Sequence, residues 1–458
     1  GSFLGSTAES ILFSDGFEFS TVNPQTEPLL TITVPLGLQF NQNPGDITIN
    51  NLGHSLSAAS PIERIIPPGL EVKSGNTLAI IAGNILSEGG FLGANDGNVE
   101  LGAVGSNDIG STVKLNLSSN GWRFDYGENS NLGEIQLKQK SFIDSSGDDS
   151  GSINIVGKNI SIEDGSVVLI QTQNITGNNL DGNSINIKAS ETFGIDGTIE
   201  DGEFSTNITS ETLGSGSGAD ILIEAKNVFV TRGAQIETKS FGTGNAAKIV
   251  VNAIESINLE GFPLDPTNNS TIASLGFGSG DAGEINLTTK KLSITDGASI
   301  FSSNFVGIGN GGNININAQD SIQIIGLETD NIGFPSVISS STLSQGNGGN
   351  LTINTGTLLL QKGGRIDAST FSFGNAGNLV INASESVEVN GKVEDSINPT
   401  LIIASANVLD ENIRLALGLP DKPSGDSGSV TVNTPELRVI DGGSVTVQND
   451  GTGNGGTL

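Results

Sequence analysis

His54, Trp122 and Tyr126 are the only histidine, tryptophan and tyrosine in a chain of 458 residues that has no cysteine and no methionine. An imidazole can bind a ligand or a metal, but a site built on it needs a second His or a Cys nearby. None exists, so His54 is expected to be an ordinary polar loop residue. Without thiols there is no disulfide framework, no thiolate metal site and no Cys nucleophile. Trp122 and Tyr126, in NGWRFDYG, offer flat faces suited to a pyranose ring, although packing is the role expected of them. The acidic turns Ser146-Gly-Asp148-Asp149 and Ser279-Gly-Asp281 invite calcium but lack the nine-residue GGxGxDxUx period of calcium β-rolls. GIGNGG resembles a phosphate loop in letters only, since neither Lys-Ser/Thr nor a helix follows. A polysaccharide lyase or hydrolase would need clustered carboxylates beside an Arg or Lys. The six arginines, Arg64, Arg123, Arg232, Arg365, Arg414 and Arg438, are scattered through different parts of the chain. No catalytic residue, metal ligand or cofactor is assigned, and the chain is read as a non-enzyme.

Charge narrows the partners. Lys and Arg total 20 against 50 Asp and Glu, a formal charge of −30 that should repel nucleic acid and anionic lipid. No run approaches 18 consecutive apolar residues, so no membrane insertion is expected. A chain opening at Gly1 is expected to be a processed product or a fragment. Gly reaches 64 residues, yet the 35% of hydrophobic residues are too regularly placed for disorder.

That regularity is an internal repeat. Short alternating runs follow Gly-rich turns, with first apolar residues Ile153, Ile185, Ile221, Ile249, Ile285, Ile314, Leu351, Leu379 and Val430, and Leu458 beginning another. The steps are 32, 36, 28, 36, 29, 37, 28, 51 and 28 residues, so short and long repeats alternate from Ile185 to Leu379. Twelve residues after each anchor stands a Gly: Gly165, Gly197, Gly233, Gly261, Gly297, Gly326, Gly363, Gly391 and Gly442. A second alternating run precedes it, often through Asp-Gly at Asp164, Asp196, Asp296 or Asp441, the dipeptide expected where the backbone needs positive φ. A third apolar position follows, as at Ile236, Ile300, Ile366 and Val445.

Three period-2 runs per repeat, each too short to bury a face alone, must stack on their equivalents. The expected fold is all-β: a right-handed parallel β-helix, a solenoid with one coil of three short strands per 28–37-residue repeat. Leu213, Phe241, Phe277, Phe305, Leu343 and Phe371 should form a stacked corner. The extra residues of the long repeats, 198–207, 262–271, 327–337 and 392–401, should project from one corner. The 51-residue step holds a helical excursion, about Asn407 to Leu417, stopped by Gly418 and Pro420. Its Leu409, Ile413 and Leu417 either pack on the coil or face a partner.

With these residues in view, the chain resembles a filamentous haemagglutinin-type exoprotein of the two-partner secretion route of Gram-negative bacteria. GSFLGSTAESILFSDGFEFSTVNP and PLLTITVPLGLQFNQNPGDITI resemble the C-terminal part of that family's secretion domain. GLEVKSGNTLAIIAGNI, GNVELGAVG and NGWRFDYG resemble its transition, and LSITDGASIFSSNFVGIGNGGNININA its Gly-rich repeats. The family's Asn-Pro-Asn motifs lie upstream of the SFL segment and have no match here. Residues 1–60 are therefore expected to be a C-terminal remnant of the secretion domain, continuous with the β-helix. Residues 61–150 are expected to be irregular transition coils, and 151–458 the repeat helix with its insertion near 404–429. The resemblance implies a secreted or surface-attached adhesive rod outside the outer membrane, exported through an outer-membrane partner barrel, with a cell-surface glycan or protein receptor. The competing readings are a carbohydrate-active β-helix enzyme and a non-catalytic glycan-binding adhesin.

Overall fold

The computed structural model describes the chain apart from residues 24–33, 58, 109, 119–120, 128–130, 174–182, 198–204, 262–268, 327–334 and 393–398. The expected projections of the long repeats fall largely on these and lie outside the described residues.

The repeat pattern becomes structure in the segment Ile285–Thr295. Ile285 and Leu287 point inward on odd numbers; after a register irregularity between Thr289 and Lys291, Leu292 and Ile294 point inward on even ones. The first two runs are thus one strand bent at a bulge, which turns the chain while keeping both apolar pairs inside. A turn at Asp296–Gly297 follows, then the strand Ser299–Asn304 in a second sheet.

Stacking is parallel and in register. Ile221 pairs with Ile249, Ile249 with Ile285, and Ile285 with Ile314. The same column runs upstream through Ile185, Ile153, Val99 and Leu78 to Phe3, and downstream through Leu351 and Leu379 to Val430. Ile208, Ile236, Ile272, Ile300, Ile338, Ile366, Ile402 and Val445 form the facing column. Apart from the exposed Phe3 at the upstream end, both belong to one continuous core, where each aliphatic contributes about 1.5–3 kcal/mol on full burial. Among the described residues the strands make a 16-stranded and a 12-stranded parallel sheet, and the fold is a parallel β-helix.

Two kinds of turn occur at the recurrent glycines. At Asp296–Gly297 both residues have positive φ (55° and 85°), and Arg232–Gly233, Lys362–Gly363 and Asp441–Gly442 repeat this. Gly261, of a long repeat, serves a different need: an added Cβ would lie 1.9 Å from the Asp296 carbonyl oxygen of the next coil. Gly197 belongs to this second kind, so the left-handed turn expected from Asp196-Gly197 is not formed. The amides of Gly165, Gly233, Gly297 and Gly363 donate to the hydroxyls of Thr206, Ser270, Ser336 and Thr400 at 2.9–3.0 Å.

Outside the coil lies a five-stranded antiparallel sheet ordered Gly121–Asp125, Ser111–Ser118, Pro35–Phe40, Ser10–Phe13 and Glu18–Ser20. Leu38, Phe40, Val113 and Tyr126 press it onto Ile81 and Val104 of the coil. The helix is Glu411–Ala416, shorter than expected, because the Asp410 carboxylate caps it by accepting from the Asn412 amide. Asn407 is instead part of the corner ladder, donating to the Thr370 carbonyl.

Candidate functional site

The outer face of the first sheet presents two aligned columns near its N-terminal end. Asn98, Ser152 and Ser184 form one, and Glu100, Asn154 and Asn186 the other. The edge strand Gly121–Asp125 overhangs them, its entry fixed by the Trp122 amide donating to Thr77 Oγ1 at 3.0 Å. Between strand and columns is a cleft of about 290 Å³, walled by Trp122, Arg123 and Phe124.

The cleft is anchored by a buried pair. Tyr126 donates to Glu100 Oε1 at 2.8 Å. Tyr126 can reach it because residue 102 is glycine: a Cβ there would lie 1.8 Å from the phenolic oxygen. Burial pushes the Glu100 carboxyl up to about 8, against the hydrogen bonds from Tyr126 and Asn154. Burial also holds Tyr126 well above its ordinary value, as does the Glu100 charge. At neutral pH the floor is therefore mostly uncharged: a carboxyl that accepts from Tyr126, with amides and hydroxyls beside it. Asn186 Nδ2 is shared between Asn154 Oδ1 and Ser184 Oγ, both at 2.8 Å. The lining includes one carboxylate, Glu100, and one cation, Arg123, which has no ion-pair partner among the described residues.

The other arginines are committed elsewhere. Arg64 pairs with Asp144, Arg232 with Asp196, Arg365 with Asp367, Arg414 with Asp421 and Arg438 with Glu388. His54 lies in a loop segment as expected, but it is not an ordinary exposed one. It is buried, with Nε2 2.7 Å from the Gly165 carbonyl and Nδ1 accepting from the Leu56 amide, and burial lowers it to about 4. It pins a strap that continues to Ile62, whose amide meets the Glu211 carboxylate at 3.1 Å. Leu56 and Ile62 pack there on Phe142, Val167 and Leu169.

Of the turn acids read as calcium candidates, Asp281 has structural partners. Asp281 Oδ1 accepts from the amide and side chain of Asn310, and Asn310 from the Asn347 amide, a ladder continuing through Asn375 and Asp426 to Asn454. This gives GIGNGG its role: Asn310 ties its coil to those above and below. Among the described residues no group of three or more His, Asp or Glu could hold a metal ion. The corner aromatics stack, Phe241 on Phe277 at 5.2 Å and Phe277 on Phe305 at 5.7 Å, nearly parallel and half-buried. In the helical excursion Leu409 is half-buried, while Ile413 and Leu417 are 50% and 48% exposed and no helix residue is buried.

The edge strand and its partner Ser111–Ser118 were not foreseen as a site, nor was Glu100. Comparison with known proteins bears on the same region. Residues 1–155 match the family model of the TPS secretion domain, which includes Glu100, Trp122, Tyr126 and Asn154. Searches of curated proteins and of solved structures found no match. The secretion-domain match over residues 1–155, with the parallel solenoid that continues from it, supports a two-partner secretion exoprotein of the filamentous haemagglutinin type.

Proposed function

We propose that the protein is the rod of a secreted or surface-attached exoprotein that adheres to a cell surface or matrix. The match to the secretion domain implies export across the outer membrane through a transporter partner. Among the described residues no helix is long and apolar enough to cross a membrane. The observation that carries the reading is the unbroken column from Phe3 to Val430, in which every coil hydrogen-bonds to the next. Such a stack is stiff and carries excursions without disturbing its core.

The excursion around Glu411–Ala416 is proposed as a protein contact, with Leu409, Ile413 and Leu417 as its apolar face. The half-exposure of Ile413 and Leu417 supports this. A non-catalytic role is proposed for the cleft, because glycoside hydrolysis ordinarily uses two carboxylates and its lining has Glu100 alone.

Beads coated with the folded chain should bind cultured epithelial cells or immobilised matrix protein, and beads coated with urea-unfolded chain should not. Equal binding by both, or by neither, would overturn the adhesive reading.

A further inference from the structure

We propose that the cleft between the edge strand Gly121–Asp125 and the Glu100–Asn154–Asn186 column is a saccharide-binding site. The proposal concerns the cleft alone and stands whether or not the rod is adhesive.

Three features converge on this class of ligand. The floor consists of amide, hydroxyl and carboxyl side chains that both donate and accept, as vicinal sugar hydroxyls require. Asn154 and Asn186 stand one strand spacing apart, ~4.8 Å, the scale of a single sugar ring. Trp122 supplies an aromatic wall on which the C–H face of a pyranose can lie, and Arg123 a donor at the rim. At about 290 Å³ the cleft has the size for a mono- or disaccharide.

The site is built rather than incidental. Glu100 is 3% exposed and held by Tyr126, so the floor keeps its shape without ligand. Glycine at position 102 admits the Tyr126 ring that positions Glu100.

Other ligand classes fit less well. A phosphorylated ligand or polyanion would meet a single cation, Arg123, on a chain of net charge −30. An extended peptide could pair with the edge strand, but strand addition also relies on apolar pockets for alternate side chains, and the floor is polar.

Trp122 is the only tryptophan, so its emission reports on the cleft directly. The intact chain is titrated with lactose, maltose and N,N′-diacetylchitobiose and screened on a glycan array. At least one saccharide should shift Trp122 emission saturably. Its affinity should fall roughly tenfold or more in Arg123→Ala and in Asn186→Ala, with melting temperatures unchanged. Arg123 is exposed, so that variant keeps the test interpretable if Asn186→Ala folds poorly. The proposal is overturned if no saccharide binds in titration or on the array, if binding is unaltered in Arg123→Ala, or if only an extended peptide moves the emission. Saccharide binding without bead adhesion would remove the adhesive reading and leave the cleft; adhesion without saccharide binding would do the reverse.

Discussion

Ser336 accepts a hydrogen bond from the Gly297 amide at 3.0 Å and passes its own proton to the Ile325 carbonyl at 2.7 Å, joining two coils through one buried hydroxyl. Thr206, Ser270 and Thr400 likewise accept from the amides of Gly165, Gly233 and Gly363, and Ser270 passes its proton on to the Glu260 carbonyl. Ser336→Ala strands the Gly297 amide in the core and should cost about 1–3 kcal/mol. Ser336→Thr should be near neutral, since threonine already serves at positions 206 and 400. Urea midpoints of the two variants check this, and equal midpoints would count against it.

The register makes a sharper contrast. Ile285 is fully buried between Ile249 and Ile314, whereas its neighbour Asn286 faces outward and accepts from Asn315 Nδ2 at 3.0 Å. Ile285→Asp buries an unpaired charge and should cost more than about 4 kcal/mol. Asn286→Asp keeps the acceptor and should stay within about 1 kcal/mol. Chemical denaturation followed by circular dichroism separates the two.

Two buried groups give opposite pH slopes. Glu100 rises from 4.5 unfolded to about 8 folded, so its contribution is complete below 4.5 and is lost as pH climbs towards 8. His54 falls from 6.5 to about 4, so its contribution is complete above 6.5 and is lost as pH drops towards 4. Glu100→Gln should therefore flatten the decline in stability between about pH 5 and pH 8, by at most about 1.4 kcal/mol per pH unit. Part of the decline should remain, because burial raises Glu211 in the same sense. Melting temperatures measured across this range test the sign, and an unchanged profile in Glu100→Gln would refute the assignment.

The helical excursion offers a substitution that separates binding from folding. Ile413 and Leu417 are about half exposed, so the double change Ile413→Ser, Leu417→Ser should move stability by only about 1 kcal/mol. If the excursion is a contact, the same variant should lose its partner in a pull-down from a host-cell membrane extract. Retention of every partner by the folded variant would remove the contact proposal.

The solenoid was legible because its signal is local and repeated. Anchors such as Ile221 and Ile285 recur with a Gly always twelve residues later, so neither insertions nor the 51-residue step obscures the ladder. The bulge at Thr289–Lys291 was less visible, appearing only as a break between two runs. The cleft was hidden for a different reason. Glu100 alternates outward in NVELGAVG and reads as a solvated face; only the pairing of Pro35–Phe40 with Ser111–Ser118 brings a lid over it. No short-range spacing encodes that pairing. The segment NGWRFDYG shows Trp122 and Tyr126 together but does not disclose their separate roles: one walls the cleft and the other is buried on Glu100. The helix is shorter than its apolar spacing implies because that spacing carries no sign of the Asp410 cap.

The central claim, one coil per repeat whatever its length, is tested most directly by distances along the rod. The chain has no cysteine, so nitroxide labels can be placed through Leu222→Cys paired with Thr352→Cys or Thr431→Cys, outward positions of one register column. Leu222 lies four rungs from Thr352 and six from Thr431, so pulsed dipolar spectroscopy should give separations near 19 Å and 29 Å, ~4.8 Å per rung. The 51-residue step between Leu379 and Val430 should add one rung only. Separations that grow with the number of intervening residues instead of the number of coils would contradict the account.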